Sequence, residues 1–241
     1  MQNSIDLERC QNFVNYQLQP AKRAALGNPA GLPQAITISR QAGCGAGMVA
    51  EKLAKLLQQQ SPKESCPWTV FDRDLMARVL EDHSLPARLE QFLPEDRMTE
   101  LQDIADEFFG LRPASWTVIE QTTETILRLA GLGHVIIIGR AANVITARLP
   151  GVWHVRLVAP HEQRIEHARV AYGMTKKAAR EFCRREDLGR ARYLKKYFKA
   201  DTNDPLLYHI VINTGLVSYD EAARLIAALA RATTTAPLPL A

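Results

Sequence analysis

The chain has 241 residues, 46% of them apolar and 23% charged, with a formal net charge of +4. That balance excludes a disordered or collagen-like chain, and the length suits one large α/β domain or two small ones. The longest strongly apolar run, Val135 to Ile138, is far too short to span a bilayer, so no membrane partner is expected.

Residues 4–26 predict an amphipathic helix, with Ile5, Leu7, Phe13, Val14 and Leu18 among polar residues. Ser4 caps it, and Pro20 bends or ends it. Residues 27–33 are rich in Gly and Pro and read as a linker. Residues 1–34 thus stand apart from the core unit, and docking or a homodimer contact is the expected role of their helix. The core unit, residues 35–231, opens on a strand over 35–39, a glycine-rich turn and a helix over 47–60. A second strand, 68–71, ends at Asp72, and a helix over 73–81 follows. The acidic helical segment after it is punctuated by Pro86, Pro94 and Pro113. A long helical pattern starts at Ser115 and closes at Gly131 and Gly133. Residues 134–138 are continuously apolar after His134, which predicts a strand buried on both faces, as in a parallel sheet. Residues 152–158 alternate and form a fourth strand. A helix over 160–172 stops at Gly173, a C′ residue. Thr175 caps a basic helix to about residue 187, and residues 189–198 stay basic and helical or irregular. Strand five covers 208–212, the last helix 219–231, and the tail 232–241 has little to bury. Five strands separated by helices predict a parallel sheet covered on both faces, with ligands beyond the carboxyl ends of the strands. Those ends are Ser39-Arg40, Asp72-Arg73, Gly139-Arg140, Ala159 and Asn213-Thr214.

The candidate chemistry gathers at these ends. Gly43, Gly45 and Gly47 let the backbone take positive φ and approach a ligand, and the helix that follows aims free N–H groups outward. The turn therefore suits a phosphate. It does not follow the P-loop pattern, which wants Lys and then Ser or Thr; Ala46, Gly47 and Met48 stand there. A dinucleotide fingerprint also fails, because Met48 or Ala50 displaces the third glycine. Asp72 is a candidate for a substrate hydroxyl, a nucleophile or water-mediated Mg²⁺, and equally for a helix N-cap. Arg140 follows the most apolar strand and is a candidate phosphate clamp, or a salt-bridge partner of the acidic segment. The charge is uneven: residues 72–107 carry four Arg against eleven Asp and Glu, and residues 160–200 carry twelve Lys and Arg against five Asp and Glu. Within the basic block Arg184, Arg185, Arg190 and Arg192 suit either a lid that stabilises a transferred phosphoryl group or a solvated helix face. No RNA-binding signature accompanies them, and nucleic acid is not an expected partner. Cys44 fills the tight turn; a Cys-x5-Arg phosphatase pattern is broken by Ala50. The four cysteines are scattered without zinc-ligand spacing, and no signal peptide is legible, which together suggest a reduced, cytoplasmic setting. The six histidines share no metal spacing.

The order of these parts resembles the cytidylate kinase-like family of P-loop nucleoside monophosphate kinases. The similarity lies in Ile36 to Gly45, Phe71-Asp72-Arg73-Asp74-Leu75, Ile138-Gly139-Arg140-Ala141-Ala142, Arg185 to Tyr193 and Ile212-Asn213-Thr214. It implies a three-layer fold with strand order 2-3-1-4-5 and a helical lid at about 174–200. It implies ATP phosphates at Gly43, Cys44, Gly45, Ala46, Gly47 and Met48, and a nucleoside monophosphate such as CMP held by Arg40, Asp72 and Arg140. The lid residues Arg185, Arg190 and Arg192 are then the catalytic set, acting on ATP with Mg²⁺. The sequence departs from active members at the loop Lys (Ala46), at the Mg²⁺ hydroxyl (Met48), and at Ile138 and Ala141, where acids are usual. A nucleotide- or phosphate-binding protein without kinase turnover is the alternative.

Overall fold

The computed structural model describes Phe13 and residues 35–62, 65–72 and 117–231. The predicted helix of 4–26 apart from Phe13, the linker, the helix over 73–81, the acidic segment and the tail lie outside the described residues.

The centre of the molecule is strand β1 (Ala35–Arg40). Its parallel neighbours are β3 (Val135–Ile138) on one side and β4 (Val152–Val158) on the other. Strand β2 (Thr69–Phe71) pairs with β3, and β5 (Ile210–Asn213) with β4, so the order is β2-β3-β1-β4-β5, all parallel. The β-branched run Val135-Ile136-Ile137-Ile138 is wholly buried, as its unbroken apolar character requires of a strand covered on both faces. The register sets Ile38 beside Ile138 and Ser39 beside Arg156. The ends of β3, β1 and β4 therefore open side by side at one edge of the sheet.

Helices cover both faces. Helix α1 (Ala46–Gln60) buries Val49, Ala50, Leu53 and Leu57, a spacing that keeps one stripe inward. It packs with the alanine-rich stripe of α6 (Tyr219–Arg231), namely Ala222, Ala223, Ile226, Ala227 and Ala230, over Ile36, Ile38 and Val155. Small side chains on α6 let the two helix axes approach closely, and a reciprocal cap between Ser218 and Glu221 opens that helix. The opposite face is covered by α2 (Thr117–Leu132) through Ile126, Leu127, Leu129 and Ala130, together with the short α3 (Ala142–Ile145). Phe13 is fully buried in this second cluster, edge-on to Phe71 at 5.8 Å between ring centroids.

Helix α4 (His161–Ala171) follows β4 and ends before Gly173, whose φ of 61° is the left-handed turn expected of a C′ residue. The basic stretch is one helix, α5 (Lys176–Phe198), capped by the Thr175 side chain on the Ala178 N–H. It runs unbroken through Gly189, where the sequence left helix and irregular structure open. Ion pairs from Arg190 to Glu186 and Asp187 bridge the glycine from either side. Strand β5 starts two residues later than the alternation suggests. Tyr208 and His209 leave the strand because a 3₁₀ turn, Pro205–Leu207, capped by Asp204, delivers them as side-chain partners for β1 and β4. Among the described residues no helix is long and apolar enough to cross a membrane.

Candidate functional site

At the carboxyl edge of β3, β1 and β4, under α5, lies a cavity of about 690 Å³. Five arginines reach it: Arg140 after β3, Arg40 at the tip of β1, Arg156 on β4, and Arg185 and Arg190 from α5. Glu186 and Asp187 are the acids on its wall, and both pair with Arg190 at 3.1 and 3.2 Å. Asp187 also pairs with Arg164 at 2.7 Å. Among the described residues no carboxylate stands within ion-pair distance of Arg40, Arg140, Arg156 or Arg185. Five guanidiniums against two carboxylates, both of those paired with Arg190, leave the cavity net positive, a field that favours an anion.

Backbone strain positions two of them. Gly139, Arg140 and Ala141 have φ of 81°, 55° and 58° in succession. Left-handed φ costs a non-glycine residue roughly 1 kcal/mol or more, so this turn is held by its surroundings rather than by its own preference. It carries Arg140 into the cavity and leaves a bare Gly139 against which the Arg40 guanidinium lies; a Cβ there would overlap Arg40 Nη1. Burial, then the Arg190 charge, pulls the Arg40 guanidinium down to about 10. It stays a cation at neutral pH, poorly hydrated and in need of an anion.

The glycine turn between β1 and α1 is built differently. Arg164 on α4, itself buried, donates to the Ala42 carbonyl at 3.0 Å and to Asp187 at 2.7 Å. The other Asp187 oxygen accepts from the Ala42 N–H at 2.7 Å. Thr214, at the end of β5, reaches the Cys44 carbonyl at 2.9 Å. Gly43 has φ of 79° and its Cα faces the Arg164 carbonyl, while Gly45, also at 79°, lies under the Tyr219 ring. Cys44 is buried and its thiol is pushed up to about 11 by burial, so it is a packing residue at neutral pH. Helix α1 has no side-chain cap from Gly45, and the Ala46 N–H, at its first position, faces the Cys44 sulfur.

A model of the cytidylate kinase-like family matches residues 35–216. The chain belongs to the cytidylate kinase-like family. The crystal structure of an uncharacterized protein from Eubacterium ventriosum shares the fold, with a TM-score of 0.63 at 20% identity over 81% of this chain and 97% of that one. A shikimate kinase from Bacteroides thetaiotaomicron aligns with a TM-score of 0.44 at 12% identity, over 81% of this chain and 96% of that one. The uronate isomerase of Corynebacterium glutamicum is 27% identical over 113 residues, 47% of this chain; the match spans only 22% of that protein.

The family thus fixes a nucleotide-binding kinase-like fold, and the geometry distributes the residues singled out in the sequence. Arg40, Arg140, Arg185 and Arg190 meet in one cavity. Arg192 is exposed on α5 and lies outside its lining, and so does Asp72, exposed at the end of β2. Gly43, Cys44, Gly45, Ala46, Gly47 and Met48 form the turn beside the cavity and do not line it; of these only Gly47 and Met48 are exposed. Met48 offers no oxygen where the P-loop pattern has a hydroxyl, and among the described residues no group of three or more His, Cys, Asp or Glu stands together; Mg²⁺ carried on substrate phosphates and water needs no such group. No protein ligand is assigned to that ion. Sequence reasoning passed over Arg156, Arg164, Asp187 and Tyr208. For Arg156 the signal was present: an arginine in the middle of a strand of a two-sided parallel sheet has no solvent to face.

Proposed function

We propose that the protein is a nucleotide-binding phosphotransferase of the cytidylate kinase-like kind, passing the ATP γ-phosphoryl group to a nucleoside monophosphate such as CMP. The observation that carries this reading is the cavity of arginines at the carboxyl edge of the sheet, where among the described residues no carboxylate pairs with Arg40, Arg140 or Arg185. In this reading Arg40 and Arg140 hold the acceptor phosphate, and Arg185 and Arg190 on α5 neutralise the group in transit. An acceptor phosphate oxygen forms a bond to the γ-phosphorus as its bond to the β,γ-bridging oxygen breaks, and ADP leaves. Asp72 and Arg192 would join only through a further closing of the site.

Two observations favour a second reading, a binding protein without turnover. The Asp187 carboxylate already occupies the Ala42 N–H, and the Tyr219 ring covers Gly45, both on the turn that would take ATP phosphates. One experiment separates the readings. ADP formation is followed with ATP, Mg²⁺ and each common nucleoside monophosphate, beside calorimetry of the same nucleotides. Turnover with at least one acceptor is expected. Calorimetric binding without turnover supports the second reading, and neither binding nor turnover overturns both.

A further inference from the structure

One arginine of the cavity belongs to none of the roles above. Ile36 and Ile38 of β1, and Val155 and Leu157 of β4, face α1 and α6. Alternation along the strands turns the register partners Ser39 and Arg156 to the opposite face, where α2 and α3 lie. Arg156 is 6% exposed and lines the cavity. Its Nη1 donates to the Ser39 hydroxyl at 2.9 Å and its Nη2 to the Asn203 side-chain oxygen at 3.3 Å. Its guanidinium carbon stands 5.6 Å from the centre of the Tyr208 ring. No carboxylate of the described residues pairs with it. A guanidinium offers five N–H groups, and two are spent here.

The neighbouring wall offers the same kind of group. Asn203 has given its oxygen to Arg156 and keeps its NH₂. Helix α3 packs against β1 and β4 and brings Asn143 to the cavity. Asn143 is 6% exposed, and its Nδ2 has no acceptor among the described residues. The Ser39 hydroxyl is taken by Arg156 and lies 3.3 Å from the Tyr208 hydroxyl. What is left unspent on this wall is N–H. Buried donors without acceptors are costly, so the wall calls for a ligand edge made of acceptors.

Position says which end of a ligand that is. A cavity of about 690 Å³ is of the size that encloses a whole small molecule rather than a phosphate alone. The glycine turn leads into α1, so donor phosphates come from the α1 face. With the acceptor phosphate on Arg40 and Arg140, the other end of the acceptor, its base, lies on the α3 face against Arg156. A guanidinium fork fits two adjacent acceptors in one plane. Cytosine presents O2 and N3 in this way, and guanine O6 and N7. Uracil sets an N3–H between its carbonyls, and adenine sets an amino group beside each outer ring nitrogen.

Resting on the reading of this cavity as the acceptor-phosphate site, we infer that Arg156 is a specificity-determining residue. With Asn143 and Asn203 it takes the acceptor's base by an edge of two adjacent hydrogen-bond acceptors, and it disfavours uracil and adenine.

Calorimetry on the full chain with CMP, GMP, UMP, AMP and inorganic phosphate tests this. In the unaltered protein CMP, GMP or both bind at least tenfold tighter than UMP and AMP. A gain for CMP alone assigns the edge to cytosine, and a gain for GMP alone to guanine. Equal affinity for the four nucleotides, or a preference for UMP or AMP, overturns the inference. Arg156→Gln brings the favoured nucleotide to within threefold of UMP and moves inorganic phosphate by less than threefold. A lower melting temperature with the preference intact marks Arg156 as merely structural and overturns the inference, as does equal weakening of all five probes. Should Arg156→Gln fail to fold, Arg156→Lys keeps the charge but not the fork. A threefold or greater fall in the preference then supports the role, and an unchanged preference rejects it. If none of the five probes binds, the phosphate reading of the cavity fails as well, whereas phosphate binding without a base preference sinks only the role of Arg156.

Discussion

Gly45 and Gly47 are two residues apart, yet the structure gives them opposite demands. Gly45 has φ of 79°, and a Cβ would overlap the body of the Tyr219 ring, which α6 holds in place. Gly47 is on the first turn of α1, its φ is not positive, and nothing stands within 4 Å of where a Cβ would go. Gly45→Ala should therefore cost roughly 2–4 kcal/mol, from left-handed strain and from displacing an aromatic ring. Gly47→Ala should stabilise by about 0.5–1 kcal/mol, because alanine is the better helix former and the unfolded chain loses freedom. Urea unfolding of both variants checks the pair, and equal effects would contradict the turn geometry. The same contrast shows what the sequence conveys at this scale. Three glycines in a turn suggest a ligand cradle, but only coordinates reveal that Gly45 is required by Tyr219, a residue 174 positions away.

At the scale of elements, α5 is held by two kinds of contact. On its outer side Lys176 and Arg180 meet Glu162 of α4 at 3.3 and 2.9 Å, all well exposed. On its inner side Asp187 joins buried Arg164 and the Ala42 N–H, and so ties α5 to the turn after β1. Exposed pairs are worth little in water, whereas removing one partner of a buried pair strands the other. Asp187 is 29% exposed on its side chain against 8% for Arg164, so the loss is smaller than for a fully buried pair. Asp187→Ala should destabilise by about 2 kcal/mol, while Glu162→Ala should leave the unfolding midpoint unchanged. Chemical denaturation monitored by circular dichroism distinguishes them. Elements themselves were largely legible: apolar periodicity located all five strands, and helices α1, α2, α4 and α6, to within two residues, while α5 runs eleven residues past its expected end at 187. The short α3 and the 3₁₀ turn at Pro205–Leu207 were not legible, because each is a single turn, too short to show a repeating apolar pattern.

For the whole molecule, a parallel sheet with its ligand edge at the carboxyl ends of the strands follows from alternating strands and helices, while the order β2-β3-β1-β4-β5 was implied only by the family resemblance. The site was legible as far as it resided in strand-end motifs, hence Arg40 and Arg140. Arg156 and Asp187 needed the fold, since their partners Ser39 and Ala42 come from another element over 100 residues away. The sheet also carries a consequence for acid stability. Below the Ser39–Arg156 layer, Thr37 and His154 form the next pair inward, with Oγ1 and Nδ1 2.8 Å apart. His154 is 6% exposed, and burial, with the nearby His209, pulls it from 6.5 to about 3. The His154 backbone N–H donates to His209 Nδ1 at 2.9 Å, which requires that nitrogen unprotonated, and burial lowers His209 as well. Because the folded pKa lies below the unfolded one, the unfolded chain takes up the proton first. Stability is then full above about pH 6.5 and falls as pH drops toward 3, by about 1.4 kcal/mol per unit for His154. Between pH 6.5 and 5 the loss from His154 should be about 2 kcal/mol. His154→Gln keeps a polar contact to Thr37 without a titrating ring, and should flatten the dependence of the melting temperature on pH over that interval. A variant that keeps the full slope would place the acid sensitivity elsewhere in the fold.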